Sequence, residues 1–311
     1  MVAAALSAVH ADATTDVGNT RRENEDEFCV VLDLPLRTPH DNACRRSLFA
    51  VFDGHGGVRA ATFLKTHLVS YLVQDPQYGQ STSDALASTL RRLDAAFLEL
   101  ARRHGGAIDG STAIVVVLEQ YHGNASPTLI CANLGDSRAV LISRHHWELL
   151  SRDQTASRVD QQPLVYDNGG FVAFRNTYRP PTSELPLWRR WCREIYDAWQ
   201  ARIVGRPLRV YPGGVVCTQV IGDLDCKQVG VVRAIAECTV VELHPAHTMV
   251  VLASDGLWAV VANKLVHAHV RDLTSATTAS HELVQLAKAH RRSTDNITVV
   301  VATLTWQSAV P

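Results

Sequence analysis

The chain of 311 residues reads as an α+β fold, with packed mixed or antiparallel sheets carrying helices on their outer faces. Two observations predict this. Apolar runs of strand length, rich in β-branched residues and mostly closed by Gly, Asp, Asn or Pro, recur along the whole chain. Helical patterns come in pairs between groups of those runs, so the strict strand-helix alternation of a parallel sheet is absent.

The expected strands cover residues 28–34, 48–52, 112–118, 128–133, 139–142, 231–235, 249–253 and 297–304. A first helix opens at Gly57 and places Ala61, Leu64, Leu68 and Leu72 on one stripe. A second follows the cap-rich Ser81-Thr82-Ser83-Asp84, repeats apolar residues at Leu86, Leu90, Leu93, Phe97 and Leu100, and stops at Gly105-Gly106. A second pair is expected over 263–271 and 279–290. Between the strand groups, residues 173–212 stand apart. Pro180-Pro181 breaks the chain there, and Trp188, Trp191, Ile195 and Trp199 then recur at helical spacing among Arg189, Arg190, Arg193 and Arg202.

An apolar content of 46% is ample for a sizeable core. A net charge of -1, from 30 basic and 31 acidic residues, provides no global attraction to nucleic acid or to an anionic membrane. The seven cysteines (Cys29, Cys44, Cys131, Cys192, Cys217, Cys226 and Cys238) are odd in number and singly spaced, which predicts reduced thiols and neither a disulfide frame nor a zinc site. The apolar residues 2–9 lack a basic flank and run straight into an acidic segment, leaving no room for a cleaved leader. Val2 excludes N-myristoylation, and no run approaches the ~20 apolar residues of a membrane span. The expectation is a soluble cytoplasmic protein with no nucleic-acid or membrane partner; nothing specifies an oligomeric state.

Four short acidic segments carry the chemistry: Arg21-Arg22-Glu23-Asn24-Glu25-Asp26, Asp53-Gly54-His55-Gly56-Gly57, Asp255-Gly256 and Asp295-Asn296. The last three border β-type runs, so each acid sits where a strand stops and the backbone turns outward. Alone, Asp-Gly is a turn dipeptide and the first segment a solvated charge cluster. Together, carboxylates converging from several strand ends form a hard, oxygen-only cage that suits Mg²⁺ or Mn²⁺ and is poor for zinc. In an extended Arg21–Asp26 segment, Arg21, Glu23 and Glu25 share one face, so Arg21 would reach a phosphate beside a metal held by Glu25.

Six ordered segments also carry a resemblance: Gly18 through Asp26, Phe49 through Gly57, Gly110-Ser111-Thr112-Ala113, Ala132 through Val140, Leu252 through Trp258, and Ser293 through Val299. They resemble the signature segments of the metal-dependent serine/threonine protein phosphatases of type 2C, over about residues 15–305. The resemblance implies one catalytic domain over residues 1–311, a central β-sandwich of two mainly antiparallel sheets flanked by pairs of helices. The Trp/Arg-rich stretch would be an enlarged flap. It implies two Mg²⁺ or Mn²⁺ ions, with Asp53 bridging them, the Gly54 carbonyl binding one, and Glu25, Asp255 and Asp295 completing the other. Arg21 would bind phosphate, His55 would protonate the leaving seryl or threonyl oxygen, and Asp26 would be a second acid acting through water. The implied reaction is direct attack on phosphoserine or phosphothreonine of proteins by a hydroxide shared between the metals.

Departures from the family pattern are local. Ala259 stands where an aspartate four residues after Asp255 would join Asp136 in holding a third metal, which leaves that site in doubt. Gln219 replaces a common arginine and Gln154 a common histidine; both look structural. Two other readings compete: a scaffold without turnover that docks partners through the Trp/Arg-rich stretch, and a two-metal phosphodiesterase or nuclease. The complete set Glu25, Asp53, Gly54, Asp255 and Asp295 speaks against the first, and the net charge of -1 against the second.

Overall fold

Two five-stranded antiparallel sheets lie face to face in the computed structural model, which describes residues 5–35, 44–103, 105–106, 109–121, 126–174 and 207–307. The strands are β1 (Ala5–Asp16), β2 (Glu27–Val31), β3 (Cys44–Phe52), β4 (Gly54–His55), β5 (Gly110–Ser111), β6 (Ala113–Tyr121), β7 (Thr128–Leu134) and β8 (Arg138–Ser143). They continue with β9 (Trp147–Leu149), β10 (Phe171–Phe174), β11 (Leu208–Tyr211), β12 (Ile221–Gly222), β13 (Glu237–Glu242), β14 (His247–Ala253) and β15 (Ile297–Gln307). The helices are α1 (Arg59–Val73), α2 (Thr82–Arg103), α3 (Gln162–Asp167), α4 (Leu224–Val229), α5 (Asp255–Trp258), α6 (Asn263–Val270) and α7 (Ala276–Gln285).

One sheet has the order β1-β15-β14-β8-β9 and the other β13-β7-β6-β3-β2. Period-2 alternation divides the apolar residues of each strand between two layers. Phe49, Val51, Ile114 and Val116 meet Val250, Leu252, Val300 and Ala302 between the sheets. On the outer face of the second sheet, Leu48, Ala50, Phe52, Val115 and Val117 pack under α1 and α2. On the outer face of the first, Val251, Ala253, Val299 and Val301 pack under α5, α6 and α7. Strands covered on both faces explain the uninterrupted apolar runs that marked them in the sequence. The expected sandwich with paired helices is the observed architecture.

The helices follow their apolar stripes. α1 buries Ala61, Leu64, Leu68 and Leu72 as expected. Ser81 starts α2 by accepting from the Asp84 N–H and donating its hydroxyl to the Asp84 carboxylate. Leu100 departs from expectation and is exposed, because the last turns of α2 direct Leu98 and Ala101 at Leu224 of α4 instead. The last expected helix divides into α7 and a π-helical turn, Leu286–His290.

Residues 231–235 are not a strand; pairing starts at Glu237. Val231 and Val232 are apolar because they are buried beside Val210, Cys217 and Cys226, and Arg233 makes only a single bridge, to Gln219. The long edge strand β1 was not expected: it pairs with β15 from Ala5 to Asp16. The stripe of Trp188, Trp191, Ile195 and Trp199, with Cys192, lies outside the described residues, between β10 and β11, which form a hairpin. The six described cysteines are free thiols. No described helix is long and apolar enough to cross a membrane.

Candidate active site

The site forms at one end of the sandwich, where strands of both sheets stop. Asp53 follows β3, Asp136 lies in the turn between β7 and β8, Asp255 is the first residue of α5 after β14, and Asp295 precedes β15. Carboxylate oxygens of Asp53, Asp136 and Asp255 lie within 4.8 Å of one another. They face a cavity of about 320 Å³ that is also lined by Arg21, Gly54, His55, Thr112, Arg209, Cys217 and Asp295.

Local structure explains each placement. The Asp53 N–H donates to Thr112 Oγ1 at 3.1 Å, and its Oδ2 accepts from the Asp255 N–H at 3.4 Å. The Gly135 N–H donates to Gln154 Oε1 at 3.0 Å, and the Gln154 N–H returns to the Gly135 carbonyl at 2.8 Å, so Gln154 clamps the turn that delivers Asp136. Gln219 bonds the Ile235 N–H and Gln161 away from the acids, a structural role. Asn296 is the latch of the acidic loop: its Oδ1 accepts from the Glu25 N–H, while Nδ2 donates to the carbonyls of Val17 and Glu23. Two glycines permit the close approach. A Cβ on Gly54 would lie 2.3 Å from the Glu25 carbonyl oxygen, and one on Gly256 1.8 Å from that of Asn296.

Glu25 and Asp26 do not line the cavity. Glu25 pairs with Arg21, whose guanidinium lies 3.9 Å from its Oε2 and 2.7 Å from Asp295 Oδ2. Asp26 is buried and accepts from Ser254 Oγ at 2.8 Å. Ala259 is exposed, but its N–H donates to the Asp255 carbonyl at 2.7 Å, so the chain coils after Gly256.

Electrostatics set what this arrangement can hold. Burial, then the charges of Asp26, Asp255 and Asp136, push Asp53 well above the carboxylate range. Burial, then the charges of Asp136, Asp295 and Asp26, push Asp255 up to about 8, and burial raises Asp26 to about 6 despite its bonds to Thr298 and Ser254. Burial also raises Asp136. Burial works against the charge of Arg21, but its bond to Asp295 prevails and holds its pKa up. Such mutual repulsion is relieved by protons or by a cation, and the donors at hand are hard oxygens. The acids therefore fit divalent cations of the Mg²⁺ or Mn²⁺ type.

Three features were not assigned from the sequence. Arg209 reaches the cavity from β11, its NH1 donating to the Gly214 carbonyl at 2.6 Å; it belongs to the stretch 173–212 read as a flap, but no motif marked this residue. Cys217 lies against Asp136 and lines the same cavity. Asp223, which follows Gly222 at the end of β12, lies 2.9 Å from His55 Nε2. An Asp after a Gly at a strand end was the available signal.

The sequence model of one family, described as protein phosphatase 2C, matches residues 12–178 and 199–297. A rice protein named "Probable protein phosphatase 2C 7" is 31% identical over 282 residues, covering 90% of this chain and 62% of that protein. A second rice protein, "Probable protein phosphatase 2C 59", is 33% identical over 254 residues, covering 82% of this chain and 65% of its own length. The chain thus spans less than two thirds of these relatives. Among solved structures, serine-threonine phosphatase 2C from Toxoplasma gondii superposes with a TM-score of 0.73 at 20% identity, covering 98% of each chain. The Staphylococcus aureus serine/threonine phosphatase Stp1 gives 0.64 at 19% identity, covering 97% of each. At these identities the two structures establish the shared fold.

Proposed function

The chain belongs to the protein phosphatase 2C family, and from that premise we propose that it is a metal-dependent phosphatase acting on phosphoserine and phosphothreonine of proteins, with residues 1–311 forming one catalytic domain. The observation that carries this reading is the set of three half-buried carboxylates within 4.8 Å of one another, facing a cavity bordered by Arg21 and His55. Family members are metal-dependent, and here Asp53, Asp255, Asp295, Glu25 and the Gly54 carbonyl would hold two Mg²⁺ or Mn²⁺ ions, with Asp136 a candidate for a third. Bound there, the ions would activate water for attack on phosphorus and neutralise charge on the phosphoryl oxygens.

The protein's own groups do the rest. Arg21, held by Asp295 and Glu25, presents a guanidinium to a phosphoryl group entering the cavity. Arg209 brings a second guanidinium to the same cavity. Asp26, below the acids, keeps Ser254 and Thr298 in place at the head of α5 and β15. His55 holds a proton beside the place where the seryl or threonyl oxygen departs; burial disfavours its charged form, but the bond to Asp223 outweighs this and raises its pKa.

The test is hydrolysis of p-nitrophenyl phosphate and of a phosphothreonine peptide by protein stripped with EDTA and then titrated with Mg²⁺ or Mn²⁺. Turnover of both substrates should be absent in chelator and return with either ion. Full turnover in EDTA would refute the metal-dependent reading, and no turnover with any divalent ion would favour a scaffold.

A further inference from the structure

The three-stranded sheet β12-β5-β4 is only two residues wide along each strand, too short to contribute much core. Its register puts His55 opposite Gly110, and Gly110 opposite Gly222, so that Asp223 follows directly at the far edge. Residues 168 apart in sequence thus meet: His55 Nε2 lies 3.0 Å and 2.9 Å from the two Asp223 carboxylate oxygens. A Cβ on Gly110 would stand 2.4 Å from His55 Nε2 and 2.7 Å from Asp223 Oδ1, so only glycine leaves room for the pair.

Asp223 is built for this contact. It occupies the N-cap position of α4, where an Asp side chain ordinarily accepts from the first helical N–H groups, yet it makes no such bond. Its φ of 50° is in the left-handed region, a conformation with a cost for a residue other than glycine, and its carboxylate is thereby aimed at His55. The backbone on either side is tied down. The Asp223 N–H donates to the Asp109 carbonyl at 3.1 Å, the Gly222 N–H donates to Asp94 Oδ1 at 2.9 Å, and Lys227 Nζ bridges Asp94 and the Val220 carbonyl. Asp109 is itself held by Arg59 through two bonds of 2.7 Å.

We propose that Asp223 is a positioning residue that holds His55 by Nε2, so that Nδ1 is the nitrogen that protonates the leaving group. This rests on the phosphatase reading above. A carboxylate accepts, so Nε2 carries the shared hydrogen and stays engaged; among the described residues Nδ1 has no hydrogen-bond partner, and the ring borders the cavity. When the bond between phosphorus and the seryl or threonyl oxygen breaks, its electron pair goes to that oxygen. The oxygen takes the Nδ1 proton, leaving the alcohol and a neutral imidazole still bonded to Asp223. The logic is that of a carboxylate fixing the tautomer of a proton-transferring histidine.

The test compares Asp223→Ala, Asp223→Asn, His55→Ala and the double variant His55→Ala/Asp223→Ala, with Mn²⁺, on a phosphothreonine peptide and on p-nitrophenyl phosphate, whose leaving group needs little protonation. Asp223→Ala should lower kcat on the peptide roughly 10- to 100-fold and on the aryl phosphate far less. Asp223→Asn, which keeps an acceptor oxygen, should lie between, and the double variant should be no slower than His55→Ala. Thermal melting separates misfolding from mispositioning, and ¹⁵N spectra of His55 in the parent protein, taken at a pH high enough for the imidazolium to have lost one proton, should show the Nε2–H tautomer. Equal losses of Asp223→Ala on both substrates, full additivity with His55→Ala, or an Nδ1–H tautomer would overturn the proposal. If His55→Ala discriminates the substrates and Asp223→Ala does not, only the positioning role falls; if neither does, the proton-donor reading of His55 falls with it.

Discussion

At the scale of residues, the clustered acids are also a source of instability. Asp255 rises to about 8 in the folded, metal-free protein, against roughly 3.9 in an unfolded chain. The native state therefore binds more protons than the unfolded state across that interval. This contribution to stability is fully present below about pH 4 and is lost as pH rises toward 8. In chelator, the melting temperature should fall as pH is raised from 5 to 8, roughly the interval between those two values, and saturating Mn²⁺ should flatten that slope because the cation takes the place of the protons. Asp53→Asn should remove turnover, raise the chelator melting temperature near neutral pH, and shrink the stabilisation gained from Mn²⁺. An undiminished Mn²⁺ gain in Asp53→Asn would place the cation elsewhere.

At the scale of elements, β14 has an acid-sensitive end opposite the end that delivers Asp255. His247 opens the strand, buried, with its ring 3.7 Å from that of His244. Its Nδ1 accepts from the His244 N–H at 3.2 Å, and Nε2 faces Glu148 at 3.5 Å, too long to satisfy a buried N–H. Burial first, then the neighbouring charge of His244, lowers its pKa; Glu148 opposes this and His146 adds to it. As pH falls, the unfolded chain takes the proton first, near 6.5, so stability present above that value is lost as pH drops toward the native value. With Mn²⁺ saturating, melting temperature should fall between about pH 7 and 5.5, and His247→Gln should show a shallower fall. Equal slopes would locate the acid sensitivity in another group. The acid-bearing end of the molecule has its own tie: Lys288, in the π-helical turn, holds Asp16 at the end of β1 by two bonds of 2.8 and 2.9 Å.

At the scale of the whole molecule, the space between the sheets fixes how far apart the acids stand. Asp53 hangs from one sheet, Asp255 and Asp295 from the other, and Asp136 from the crossing between them. Phe49, fully buried between the sheets, is among the largest side chains there. Phe49→Ala should cost about 3–5 kcal/mol, read as a lower urea midpoint with an unchanged denaturant slope. It should also weaken Mn²⁺ binding, since sheets free to shift no longer hold the carboxylates at one spacing. A stability loss of that size with unchanged Mn²⁺ affinity would show that the loops alone position the acids.

Much of this protein is local in origin and so was readable in the sequence. A strand's apolar alternation, the 3.6-residue stripe of α1 and the Ser81 cap of α2 depend on neighbours a few residues away, as does an Asp placed where a strand ends. Hence Asp53, Asp255 and Asp295 could be named without coordinates, and the six ordered motifs pointed to their family. What depended on distant partners could not be read. Val231 and Val232 look like a strand because burial beneath a hairpin and burial in a sheet demand the same side chains. The strand β1 pairs with a partner nearly the whole chain away, as do the residues that Asn296 latches. Arg209 enters the cavity only because β11 passes it, and Asp223 meets His55 only because two glycines let three short strands close up. Sequence determines what each residue is able to do over short range; the packing of two sheets, which brings residues more than 150 positions apart within hydrogen-bond distance, decided which of them act together.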